Sequence, residues 1–198
     1  MIVNVPSPPV LLPGLTGRPV PEVEALRTAA LTAIRQLLQG NPAEIVVVGA
    51  AGPVWDGGQP LAALIGSTLL AEADYAGVIR QISIDTEATS AQWVELGRSL
   101  PGAELLVVAD GSARRGVKAP GYLDDRAGPF DDEILAALQS GDPAQLAALD
   151  PTLAAKLMVA GYEAWQVMAA AAAGRTWRTE TFYADDPFGV FYPVVAWR

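Results

Sequence analysis

The chain has 198 residues, 51% of them hydrophobic, and a formal net charge of −9. That hydrophobic share excludes a disordered chain, and the length suits one well-buried core. The negative field repels phosphate backbones and anionic lipid surfaces, so neither nucleic acid nor a membrane is an expected partner. Histidine and cysteine are both absent, which excludes imidazole and thiolate catalysis, disulfides and zinc-thiolate sites.

The first residues, Met1 to Pro6, lack the basic stretch and long apolar core of a signal peptide. The most apolar stretch, Leu157 to Ala173, is interrupted by Glu163 and Gln166, which argues against a membrane span. A cytoplasmic protein is expected.

In chain order, Ile2 to Val5 reads as a short strand closed by Pro6-Ser7-Pro8-Pro9. Pro21 to Gln39 carries Val23, Leu26, Ala30, Ile34 and Leu37 at helical spacing, with Pro21 in the first turn and Gly40 at the stop. Glu44 to Val48 is a β-branched run of the kind buried on both faces of a parallel sheet, and a glycine-rich loop, Gly49 to Gly58, follows it. Gly77 to Ile84 is a further strand. Thr89 or Ser90 caps a helix to Leu100 with Trp93 and Leu96 inward. Leu105 to Ala109 is another buried strand, and the polar loop Asp110 to Gly128 extends from it.

A helical region starts near Pro129. Asp142-Pro143 and Asp150-Pro151 each set a capping carboxylate before a proline, so each begins a helix, and the second is expected to run to about Ala172. Trp165, Trp177 and Trp197 read as packing residues. Thr176–Tyr183 and Val190–Trp197 flank Asp185 to Gly189 as a terminal hairpin. The fold expected is a single α/β domain over residues 1–198, with a central, mostly parallel sheet flanked by helices and a C-terminal antiparallel hairpin. The last strand is apolar, and Pro193 argues for a sheet edge. A homo-oligomer burying Phe191 or Trp197 is therefore expected.

Ligands of open α/β sheets bind at the carboxyl ends of the strands. Three such ends are visible: Pro6-Ser7-Pro8, Gly49-Ala50-Ala51-Gly52 and Asp110-Gly111-Ser112-Ala113-Arg114. Gly49-x-x-Gly52 could cradle a phosphate, but no lysine follows and Asp56 stands close by. Trp55 and Tyr122 could stack on an aromatic ligand, with packing as the plainer role. Asp110, Ser112 and Arg114, with Arg115 and Lys118 near, could form a polar ligand site or a solvated loop. Ser7 as a nucleophile would need a lysine or carboxylate base, and no motif supplies one. Asp124-Asp125 and Asp131-Asp132 could hold Mg²⁺, although helix-start carboxylates explain the second pair more simply.

Val5-Pro6-Ser7-Pro8-Pro9-Val10-Leu11-Leu12-Pro13, Val46 to Gly52, Asp110 to Arg114 and Asp186 to Tyr192 occur in an order that resembles the class III extradiol ring-cleavage dioxygenase superfamily. That superfamily is typified by the protocatechuate 4,5-dioxygenase β-subunit and includes the Memo-like proteins. Its members open with a strand and Pro-His-Pro-Pro. They continue with a strand ending in Ser-Pro-His-Gly, and later carry Asp-Leu-Ser-His-Arg. The resemblance implies that two of these histidines hold ferrous iron and the third is an acid/base. Here the three positions are Ser7, Ala51 and Ala113. Serine and alanine cannot hold the iron of a 2-His-1-carboxylate site, so neither iron nor any other metal or cofactor is expected. The family's glutamate ligand has only a loose candidate, Glu163.

The resemblance thus implies a degenerate homologue without ring cleavage, retaining a pocket for a small molecule or a role in assembly. The candidate pocket residues are Trp55, Asp110, Ser112, Arg114 and Tyr122. Two alternatives stand beside it. One is an active enzyme using Asp110, Ser112 and Arg114; the other is a structural or interaction subunit.

Overall fold

The β-branched runs assemble into one six-stranded sheet in a computed structural model that describes every residue except Pro53, Asp56 and Gly57. Asp56, the acidic neighbour weighed against phosphate binding, thus lies outside the described residues. β1 (Ile2–Val5), β2 (Glu44–Ala50), β3 (Val78–Ile84) and β4 (Leu105–Val108) are parallel, in the order β3-β2-β4-β1. Beyond β1 lie β6 (Tyr192–Trp197) and then β5 (Thr179–Asp185), each antiparallel to its neighbour. This is the expected α/β class with its terminal hairpin.

Successive strand residues point to opposite faces, so each strand serves two cores. Val3, Val5, Val47, Leu106 and Val108 pack beneath α1 (Pro21–Leu38) and α2 (Leu61–Glu72). Ile2, Val46, Val48, Leu105, Val107 and Trp197 face α3 (Ser90–Arg98), α4 (Ala127–Ser140), α5 (Pro143–Ala147), α6 (Pro151–Lys156) and α7 (Tyr162–Ala172). Polar atoms at the centre are matched. The Asn4 side chain donates to the Pro193 carbonyl at 2.8 Å and accepts from the Trp165 indole at 2.8 Å, which stitches β1, β6 and α7 together. Among the described residues, no helix is long and apolar enough to cross a membrane.

The caps are as the sequence implies. Thr89 and Gln92 form a reciprocal capping box on α3, and Asp142 and Asp150 accept from the first turns of α5 and α6. Helix α2 is an addition. Its sequence, Leu-Ala-Ala-Leu-Ile-Gly-Ser-Thr-Leu-Leu-Ala-Glu, is apolar nearly all round and has no side-chain cap, so it shows no amphipathic period. Gly49 belongs to this packing, because a side chain there would overlap Ala62 of α2. Its smallness has a structural cause beside any phosphate cradle.

Three expectations are corrected. First, β6 lies inside the sheet, between β1 and β5, and all six of its residues are buried. Pro193 is tolerated because it sits before the stretch that pairs with β1, which begins at Val195 opposite Asn4. Phe191 and Trp197 are buried within the chain itself, at 4% and 0% exposure, so they offer no surface for self-association. Second, the helix expected from Pro151 to Ala172 is two helices. The chain turns at Met158, where φ is 57°, and Gly161 fits against Ala109 where a side chain would overlap it. The break sets the start of α7 against the end of β4. Third, α4 begins at Ala127, ahead of Pro129, so Asp131 and Asp132 lie beyond its first turn and are not helix-start carboxylates.

Candidate functional site

The loops after β1, β2 and β4 meet the start of α7 and the entrance to β6 around a cavity of about 540 Å³. Its polar lining comes from Ser7, Thr86, Asp110, Glu163 and Tyr192, and apolar walls come from Pro8, Leu61, Val159 and Val190. The β1 loop is anchored from outside. Arg27 of α1 donates to the Leu11 carbonyl at 2.6 Å and pairs with Glu72 of α2 at 2.8 Å.

Asp110 follows β4 and is 7% exposed. One carboxylate oxygen accepts the Ser7 backbone N–H at 2.6 Å and the other the Ser7 hydroxyl at 2.9 Å, so two strand ends are clamped by one side chain. Burial pushes the carboxyl up to about 6, against the pull of the two Ser7 bonds. Burial also raises Glu163, opposed by its own backbone N–H. The Tyr192 phenol is raised by burial first and by the Asp110 charge second.

Two of the three positions at which the resemblance places histidine, Ser7 and Ala113, line this cavity, and so does Glu163. Ala51 stands between the lining residues Ala50 and Gly52, with its own side chain exposed and its N–H donated to Ile84 at 2.8 Å.

The other candidates separate from the cavity. Ser112 is fully buried and faces α4, where its N–H and hydroxyl meet Asp131 at 2.8 and 2.5 Å. Arg114 leans 3.8 Å from Asp124, away from the lining. Trp55 and Tyr122 are 37% and 75% exposed and do not line it. The three-residue site Asp110, Ser112 and Arg114 is therefore not assembled. Gly111 lies at the split: a side chain there would strike the Asp131 carboxylate and the Phe191 ring, so the backbone runs close against that side.

Arg115 closes the far side, 2.6 Å from Asp186, 3.8 Å from Asp131 and 6.0 Å above the Phe191 ring. Burial raises the Asp131 carboxyl, opposed by Ser112 and Arg115. Asp124 is held well below the ordinary carboxylate range by hydrogen bonds from Arg126, with Arg114 adding to them. It is an ion-pair residue.

Sequence reasoning missed Thr86, Tyr192 and the partnership of Ser112 with Asp131. Tyr192 ends the segment Asp186 to Tyr192 and was available from it. Nothing in the chain marks Thr86 or pairs Ser112 with a residue nineteen positions on.

A second cavity, about 490 Å³, lies between α3, α5 and α7 and is lined mainly by alanines with Arg98, Asp142, Gln166 and Arg175. Three of its polar groups have structural employment: Asp142 caps α5 at 2.9 Å, Gln166 donates to the Leu146 carbonyl at 3.0 Å and Arg175 stacks 3.8 Å over Trp177. The first cavity is the better candidate.

Its donors do not suit ferrous iron. Asp110 is committed to Ser7, and the remaining oxygen groups, Glu163, Thr86 and Tyr192, include no imidazole. Among the described residues, no group of three acidic side chains is arranged to hold a metal ion. No protein-family model matches the chain, and no curated protein matches it either.

Proposed function

We propose that this chain is a divergent relative of the class III extradiol dioxygenases that lacks iron-dependent ring cleavage and uses its cavity to bind a small molecule. One observation carries the reading. Ser7, Ala113 and Glu163 come from segments far apart in the chain and line a single cavity at the carboxyl ends of the strands. The resemblance sets two of them at histidine positions, and the third is its loose candidate for the carboxylate. Histidine is absent from the chain, which removes the ring-cleavage chemistry.

The cavity has the size and the apolar lining with few polar groups that small-molecule sites share. A purely structural subunit has no need of it. Assembly through another surface is compatible with ligand binding, but β6 does not supply that surface.

The test is ligand-observed NMR with neutral one-ring probes: phenol, catechol and 2-phenylethanol. Binding should weaken roughly tenfold or more in Ala113→Leu and in Ala50→Leu, each of which fills the cavity, with the fold checked by circular dichroism. Catechol should not be consumed when ferrous iron and oxygen are supplied. Failure of all three probes and of the charged analogues of 2-phenylethanol to bind, or iron-dependent cleavage of catechol, overturns the reading.

A further inference from the structure

We infer that the cavity takes a small amphipathic cation, an apolar body carrying one ammonium group, with Glu163 as its counter-ion. The inference rests on the binding role proposed above and adds the class of ligand. It comes from the distribution of charge around the cavity. Among the described residues, the lining carries two carboxyl groups, Asp110 and Glu163, and no lysine or arginine. The nearest basic residues of the β4 loop do not line it: Arg114 stands 3.8 Å from Asp124 with its buried Nε unpartnered among the described residues, and Arg115 pairs with Asp186 and Asp131.

The two carboxylates are not equivalent. Asp110 spends one oxygen on the Ser7 N–H and the other on its hydroxyl. Glu163, the second residue of α7, lines the same cavity, and among the described residues only its own backbone N–H favours its charged form. A carboxylate half-withdrawn from water without a cation is poorly compensated, and burial raises both groups accordingly. An ammonium ion beside Glu163 supplies the missing charge and three donors. An anion would meet two carboxylates and no cation. Pro8, Leu61, Val159 and Val190 give the ligand's body an apolar bed.

Three probes of nearly one shape isolate the charge: 2-phenylethylamine, 2-phenylethanol and phenylacetate, titrated at pH 7.5 and low salt. The amine should bind at least about tenfold tighter than the alcohol, with phenylacetate weakest. Glu163→Gln keeps the size of the side chain and should bring the amine to the level of the alcohol. Glu163→Asp should restore part of the difference. Equal binding of amine and alcohol, tighter binding of phenylacetate, or an unchanged amine affinity in Glu163→Gln overturns this inference and leaves the cavity as a neutral-ligand site. No binding by any of the three overturns both it and the function proposed above.

Discussion

Two serine–aspartate pairs are built to the same plan on opposite sides of one loop. In each, the serine N–H meets one carboxylate oxygen and its hydroxyl the other: Ser7 with Asp110 at 2.6 and 2.9 Å, Ser112 with Asp131 at 2.8 and 2.5 Å. Their surroundings differ. Asp131 is backed by Arg115, which is tied to Asp186 and roofed over Phe191. Among the described residues, Asp110 has no cation paired with it, and it lines the cavity. Equal hydrogen bonding therefore gives unequal roles. A carboxylate with a cation and no cavity fastens α4 to the β4 loop, whereas the other ties two strand ends together and forms part of a cavity wall.

Removing the fastened carboxylate should do the most damage. Asp131→Ala leaves the Ser112 N–H and hydroxyl buried without acceptors and deprives Arg115 of one of its two anions. The expected loss is about 3–5 kcal/mol, the range for breaking a buried charged network. Urea unfolding measures it. Asp131→Asn, which can keep both Ser112 contacts, should lose about half as much. If Asp131→Ala unfolds at the same urea concentration as the parent, the distinction between the two pairs collapses.

The cavity-facing carboxylate should behave in the opposite sense. The folded-state pKa of Asp110, about 6, lies above its ordinary value near 3.9, so the native protein binds that proton more tightly than the unfolded chain. The stability this contributes is fully present below about pH 4 and is lost as pH rises through about 6. The loss amounts to about 3 kcal/mol at most. In Asp110→Asn the new side chain cannot ionise, yet its amide can accept the Ser7 N–H and donate to the Ser7 hydroxyl. This variant should therefore be more stable than the parent at pH 8, by up to about 3 kcal/mol, and nearly equal to it at pH 4. Melting temperatures across that range decide it, and a variant less stable at pH 8 would show that the charge is compensated by something beyond Ser7.

Much of this architecture could be read from the chain, because its signals are local. β-Branched runs marked β2 and β4, and Asp-Pro steps marked the starts of α5 and α6. What depends on distant contacts could not be read. The breadth of α2's apolar surface erased its period. The turn at Met158 is favoured by Gly161 meeting Ala109, a contact between segments some fifty residues apart. Pro193 was an edge signal by local logic, but β1 ends where it would have needed a donor. In the site, Ser7, Asp110 and Ala113 were legible from their place after strands. Ser112 and Arg114 sit in the same loop, and side-chain direction took them elsewhere. Strand alternation would put Asp110 and Ser112, two residues apart, on one face; the loop departs from it, and spacing alone does not reveal that.

The smallest effect is also the finest probe of the comparison. Ser112→Ala deletes a hydroxyl that is wholly enclosed, leaving one oxygen of Asp131 to Arg115 alone. The cost should be about 1.5–2 kcal/mol, as for a buried hydrogen bond to a charged group. Ser7→Ala deletes the corresponding hydroxyl at a cavity wall, where water can take its place beside Asp110, so the cost should be at most about 1 kcal/mol. The two variants should also differ in kind. The Ser7 hydroxyl favours the charged form of Asp110, so its loss should move the midpoint of the pH-dependent loss of stability upward. Ser112→Ala should leave that midpoint where it is, since Ser112 does not touch Asp110. Parallel melting curves from pH 4 to 8 on the two alanine variants read both quantities. Equal costs with no movement of the midpoint in Ser7→Ala would mean that the cavity side is as closed and as compensated as the side fastened by Arg115.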